Sequence, residues 1–256
     1  MKIGCCAPIE KVESLYRAGF DFIECPVGSV SPEESDRYFK ENILTKFRES
    51  PLPIEAFNVF LPGHLKVTGD SVDRKAIDKY LDVALERLDT IGAKIVVFGS
   101  GGARSLPEHF DREKGEAQIV DFLHLVADKA DQTDITVVIE PLNKKESNII
   151  NSVTEAVAFA KKVDRSSIQV LADFYHMDED NEPLDNIFTA RDFLRHVHVA
   201  DTGRLAPGTG SYPYQEFVKQ LKAANYNDRV SIECSWHEFE QELGQAKQFL
   251  DQVLNG

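Results

Sequence analysis

The chain has 256 residues, 42% hydrophobic and 28% charged, the balance of a folded globular protein and not of a fibrous or disordered one. Its 29 basic against 43 acidic residues leave a formal charge of -14, which repels a phosphate backbone and argues against a nucleic-acid partner. No run of about 18 apolar residues is present to span a membrane. Met1-Lys2-Ile3-Gly4-Cys5-Cys6 enters a strand and does not read as a signal peptide, and Cys5, Cys6, Cys25 and Cys234 lack zinc-ribbon spacing, as reduced thiols of a cytoplasmic protein do.

Strand-like runs recur along the whole chain: Lys2–Cys6, Phe20–Cys25, Ile54–Phe60, Lys94–Gly99, Ile135–Glu140, Ile168–Asp173, Arg195–Ala200 and Arg229–Cys234. Segments of helical period separate them. Residues 75–91 place Ile77, Leu81, Ala84, Leu85 and Leu88 on one stripe, and 117–129, 154–163, 213–224 and 239–254 repeat the pattern. Ser31-Pro32-Glu33-Glu34 and Ser152-Val153-Thr154-Glu155 carry capping-box spacing and predict helix starts. Gly19 and Gly92 fall where a helix has to stop. After the sixth strand, the acidic stretch 178–185 predicts a loop and leaves a short helix near 185–194.

Eight strands alternating with helices allow an open doubly wound sheet or a closed barrel. No Gly-x-Gly-x-x-Gly follows the first strand, which weakens the dinucleotide-binding version. Polar residues stand at the C-terminal ends of several strands, where barrel active sites are built. The expectation is one (β/α)8 TIM barrel, a single domain over 1–256.

The chemistry gathers at four strand ends. The run from Ile135 reaches Glu140 and is stopped by Pro141, which cannot donate to a ladder. The next three runs carry Asp173, His198 and Glu233 in the same place. A carboxylate at the end of a buried strand is costly unless a cation, a proton or a donor meets it. Carboxylates plus one imidazole suit Mn2+, Mg2+, Co2+ or Zn2+ and lack the thiolates of structural zinc. His196 and His198 are two apart and share a face; the later one lies nearer the rim and is assigned to the metal, the earlier to a supporting position below it.

Ile139-Glu140-Pro141-Leu142-Asn143, Asp173-Phe174-Tyr175-His176, His196 to Arg204 and Ser231-Ile232-Glu233-Cys234 resemble the signature of the xylose-isomerase-like barrels. Within them the chain is most similar to the sugar isomerase/epimerase branch that includes ketose 3-epimerases and hydroxypyruvate isomerase. The likeness is strong over the C-terminal half and holds only in outline before it. It implies that Glu140 and Glu233 bind the metal and act as the acid/base pair, and that Asp173 and His198 are ligands only. It also implies that His176, Arg204 and Glu146 contact the substrate. A homodimer or homotetramer is the family-level expectation.

Hydrogens beside a carbonyl are weak acids, and a chelated divalent cation stabilises the enediolate left by proton loss. One carboxylate on each face then suffices to invert the carbon, and return of the proton to the adjacent carbon gives aldose–ketose isomerisation instead. The substrate is therefore read as a small carbohydrate or keto-acid. Two softer candidates complete the pocket. Gly99-Ser100-Gly101-Gly102-Ala103-Arg104 reads either as an anion-holding turn or as a tight loop, and His64 follows the third strand at the rim. Glu24 reads either as an orienting group or as an ion pair within the barrel. The competing readings are a metal-dependent dehydratase of a dehydroshikimate- or inosose-like substrate, a phosphodiesterase or endonuclease, and a non-catalytic sugar-binding barrel.

Overall fold

The protein is described by a computed structural model covering residues 1–256. Eight parallel strands close into a barrel in sequence order. They are β1 (Lys2–Cys6), β2 (Phe22–Pro26), β3 (Ile54–Asn58), β4 (Ile95–Phe98), β5 (Thr136–Ile139), β6 (Ile168–Asp173), β7 (Leu194–Val199) and β8 (Arg229–Ile232). Closure is made by β1 against β8, from Lys2 beside Arg229 to Cys5 beside Ile232. Parallel neighbours need a crossover, and helices such as Arg74–Ile91, Arg112–Ala130, Val153–Val163, Tyr214–Ala223 and Phe239–Asn255 supply it on the outside.

Gly19 and Gly92 have φ of 80° and 99°, a backbone that suits glycine, and each ends its helix ahead of the next strand. Ser152 caps its helix by accepting from the Glu155 N–H at 3.1 Å; the Glu155 carboxylate reaches back to the N–H of Asn151 at 2.8 Å. The expected start at Ser31 is corrected. Ser31 has φ of 48°, Pro32 to Glu34 form a turn, and the helix opens at Asp36 with Ser35 as its cap. The cause is Arg87, which is 3% exposed and donates to the backbone carbonyls of Val30, Ser31 and Glu34, holding them in a turn. An additional helix over Phe174–Glu179, capped by Asp173, runs two residues into the loop expected over 178–185; the rest of that loop and the short helix after it, Asn186–Thr189, are present.

The packing has two parts. A cluster of 70 buried residues fills the space between sheet and helices. A separate cluster of six, Phe22, Ala56, Ile95, Val97, Val138 and Leu171, lies inside the barrel. Phe22 fits there because Gly4 has no side chain; a Cβ on Gly4 would lie 2.3 Å from the Phe22 ring. This apolar interior is the floor on which the polar residues rest.

Candidate metal and acid/base site

Side chains two apart on a strand share a face, so six of the eight staves carry an inward residue at the floor and then a polar one toward the C-terminal mouth. The pairs are Phe22 and Glu24, Ala56 and Asn58, Val138 and Glu140, Leu171 and Asp173, His196 and His198, Ser231 and Glu233. Glu140 and Glu233 stand one residue beyond β5 and β8, and their N–H groups still donate to Phe98 and Val199, at 3.2 and 3.0 Å. The structure brings Glu140, Asp173, His198 and Glu233 together: one ligand atom of each lies within 4.8 Å of every other.

Neighbouring groups fix the position of each member. Asp173 Oδ1 takes the N–H groups of Tyr175 and His176, at 2.7 and 3.3 Å, while Oδ2 is buried without a partner. His198 donates from Nε2 to Glu24 at 3.0 Å and turns Nδ1 toward Glu140 Oε1 at 3.1 Å. That is the arrangement by which a carboxylate orients a metal-binding imidazole. Glu24, fully buried, also accepts from His196 Nε2 at 2.8 Å and Ser231 Oγ at 2.6 Å. It is thus an orienting group, and His196 is the supporting residue expected from its depth. Glu233 Oε1 accepts from Asn58 Nδ2 at 2.9 Å and its Oε2 from Arg204 Nη2 at 2.8 Å. Glu140 Oε2 rests against Gly99, where a Cβ would lie only 2.0 Å away.

The electrostatics follow from these contacts. Burial works to raise the Glu24 carboxyl, but His198 and His196 outweigh it and hold it well below the usual carboxylate range. Burial likewise opposes a charge on His198, yet Glu24, Cys6 and Glu233 push it well above the ordinary imidazole value. The two glutamates diverge. Burial and the neighbouring Glu233 and Asp173 raise Glu140, against a hydrogen bond from His198 that lowers it. For Glu233, burial is overcome by His198 and Arg204, which draw it down to about 2. The field at His198 Nδ1 therefore favours positive charge. Three carboxylate oxygens and one imidazole nitrogen, with Asp173 Oδ2 orphaned among them, fit a hard or borderline divalent cation.

Above the cluster a cavity of about 260 Å³ is lined by Asn58, Val59, Leu61, Glu140, Glu146, His176, Arg204 and Glu233, with Gly63 and the glycines at 101 and 102. His176 Nδ1 accepts from the Asn143 N–H at 3.1 Å and lies 2.9 Å from its Nδ2, so the ring proton sits on Nε2, which is buried without a partner. Arg204, at φ of 62°, spans Glu233 and Glu146 and lies 4.8 Å over the Tyr175 ring. Sequence reasoning gave no role to Asn58, a neutral amide with no motif to mark it, or to Asn143, which closes the Glu140 motif. The signal open to it was the position of Asn58 two residues beyond Ala56, matching the charged partners on neighbouring strands.

Two pocket assignments are corrected. Arg104 is fully buried and donates to the carbonyls of Phe98, Glu140 and Ile150, so it holds the ends of β4 and β5 together and faces no ligand. The Gly99–Arg104 segment matches neither reading: it closes in a one-turn helix, Gly101–Arg104, whose Gly101 and Gly102 line the cavity while Arg104 turns away from it. His64 is largely exposed, pairs with Glu33 at 3.1 Å and does not line this cavity. Trp236 packs edge-on against Phe239.

A closed eight-stranded α/β barrel with an acid-rich, imidazole-bearing mouth defines a barrel enzyme scaffold of the metal-binding type. The sequence profile of the xylose isomerase-like TIM barrel family matches residues 12–253, and the chain belongs to that family. It is 28% identical over 204 residues to the 3-dehydro-D-guloside 4-epimerase of Escherichia coli, covering 75% of this chain and 76% of that protein. It is 28% identical over 229 residues to the D-psicose 3-epimerase of Agrobacterium fabrum, covering 87% and 77%. The crystal structure of the 3-keto-D-glucoside 4-epimerase from E. coli, in its apo form, superposes with a TM-score of 0.83 at 26% identity, over 98% of this chain and 99% of that one.

Proposed function

We propose that this chain, acting as a single domain over 1–256, is a divalent-metal-dependent epimerase of an uncharged keto sugar. It inverts the carbon beside the carbonyl by proton transfer between Glu140 and Glu233. The enzyme class, sugar isomerase/epimerase, agrees with the named relatives, which are epimerases. The observation that carries the reading is the convergence of Glu140 and Glu233 with Asp173 and His198 at a cavity floor, two acids for proton transfer beside two further ligand atoms.

Glu140, Asp173, His198 and Glu233 would hold the cation; Mn2+ is our first choice, with Mg2+, Co2+ and Zn2+ as the other candidates for this donor set. When bound, it supplies Lewis-acid charge that makes the hydrogen beside the carbonyl acidic. The residues do the rest. One glutamate removes that hydrogen from one face of the carbon and the other returns a proton to the opposite face. Asn58 and Arg204 keep Glu233 aimed, and Gly99 leaves room for Glu140. His176 offers its Nε2–H to a substrate oxygen. Glu146 keeps Arg204 and Asn143 in register across the mouth.

Charge supports a neutral substrate. Arg204 is the single cationic side chain lining the cavity and its Nη atoms already face the carboxylates of Glu146 and Glu233, while Glu140 and Glu233 add negative charge, a lining that favours a neutral ligand over a phosphate. A dehydratase has no support from the named relatives. The test is Glu140→Gln and Glu233→Gln, assayed with Mn2+ for deuterium uptake from D2O into keto sugars and for inverted product. Each variant is expected to lose at least about a hundredfold in rate. Unchanged exchange and inversion in both variants overturns the assignment.

A further inference from the structure

The segment after β3 is a partition between two cavities. Leu61 and Gly63 face the catalytic cavity, Pro62 faces a second one of about 340 Å³, and Val59 lines both. Val59 is 53% exposed and has φ of 50°. A β-branched residue in that region is strained and persists only where its surroundings impose it. Here Asn58 is tied to Glu233 on one side and the Phe60 N–H to the Val97 carbonyl on the other. The result is an apolar side chain held out at the junction of the two spaces.

The far wall of the second cavity is also built. Its Ser31 to Glu34 turn is the one fixed from behind by buried Arg87, and the His64–Glu33 pair joins it to the partition. Proline faces, the Ser31 hydroxyl and the Glu33 and Glu34 carboxylates line it, with no lysine or arginine. Such a surface accepts hydroxyl donors and the C–H faces of a sugar ring, and it repels phosphates and carboxylates.

We propose that this second cavity is a subsite for a glycosyl substituent, so that the substrate is a keto-glycoside and not a free ketose. The inference rests on the epimerase reading of the first cavity and narrows its substrate class. The keto ring sits over Glu140 and Glu233, and the second, hydroxyl-rich ring passes Val59 into the neighbouring space. The E. coli relative named above carries a glycoside in its name, which agrees with a substrate of this shape.

The test uses the full chain with Mn2+ and two probes, methyl 3-dehydro-β-D-glucoside and 3-dehydrocellobiose with the ketone on its non-reducing ring. Gly28 lines the second cavity and not the first, and a Cβ there meets nothing within 4 Å, so Gly28→Trp fills the space from an unstrained backbone. In the wild type kcat/KM is expected to favour the disaccharide at least about tenfold. In G28W that ratio collapses toward one, through KM. Equal ratios in the two proteins overturn the subsite. Saturation-transfer NMR with cellobiose on the EDTA-treated chain reads the same contact without turnover. Signals from its rings that vanish in G28W support the subsite, and their absence from the wild type overturns it. Failure of both probes and of free ketoses to turn over while those signals persist removes the epimerase reading alone.

Discussion

Glu233 arrives at the cluster with both oxygens occupied, Oε1 by Asn58 and Oε2 by Arg204. A hydrogen bond to a charged group contributes about 1.5–3 kcal/mol, so Asn58→Ala is expected to lower kcat/KM by roughly ten- to a hundredfold with little change in melting temperature. A steady-state assay beside a melting curve checks this; unchanged kinetics removes Asn58 from the site. At this scale the four acid and imidazole residues were legible because a buried charge at a strand end has no inexpensive explanation other than a partner. Asn58 was not, since a neutral amide there is unremarkable until its neighbour is seen. Arg104 misled for a physical reason: a cation near glycines resembles an anion site, and only the fold reveals that its ligands are three backbone carbonyls.

At the scale of elements, the staves are clamped at the end opposite the site. Glu55 on β3 bonds Lys2 on β1 at 2.7 Å and Arg229 on β8. Burial works to raise its carboxyl, but Lys2 and Arg229 outweigh that and hold it below the usual range. A folded-state value below the unfolded one adds stability above the unfolded pKa, about 4.3, and loses it as pH falls through the folded value. Glu55→Gln is therefore expected to cost about 1–3 kcal/mol at pH 7, the deficit shrinking below about pH 4. Urea melts at both pH values measure it, and a deficit independent of pH contradicts the clamp. The strands and long helices were legible from periodicity, because a two-residue or 3.6-residue repeat is written locally. The Ser31 start was misread because the competing force, Arg87, lies more than fifty residues away on another helix.

For the whole molecule, a ligand that binds only the folded chain stabilises it. Metal at about 100 times its dissociation constant adds about 2.7 kcal/mol, which for a chain of this size raises the melting temperature by roughly 5–10 °C. EDTA is expected to reverse the shift. Asp173→Asn keeps an oxygen to cap the helix after β6 yet removes a charge from the cluster, so it is expected to fold and to show a much smaller shift. A full shift in that variant places the ion elsewhere. The count of strands alone left an open sheet and a closed barrel both possible, and closure was legible from the polar residues gathered at the C-terminal strand ends. The partition at Val59 was not, because the positive φ is imposed by Asn58 and Phe60 making contacts on separate strands.

The glycines of the mouth also decide where this pocket can be remodelled. An alanine methyl at 99 would strike the Glu140 carboxylate, and one at 101 would press on Leu142 and the Glu146 carbonyl. At 102 the nearest atom, the Gly63 Cα, is 3.5 Å from the added carbon. A library aimed at new sugars therefore has one open door on this wall, residue 102, and two that stay shut.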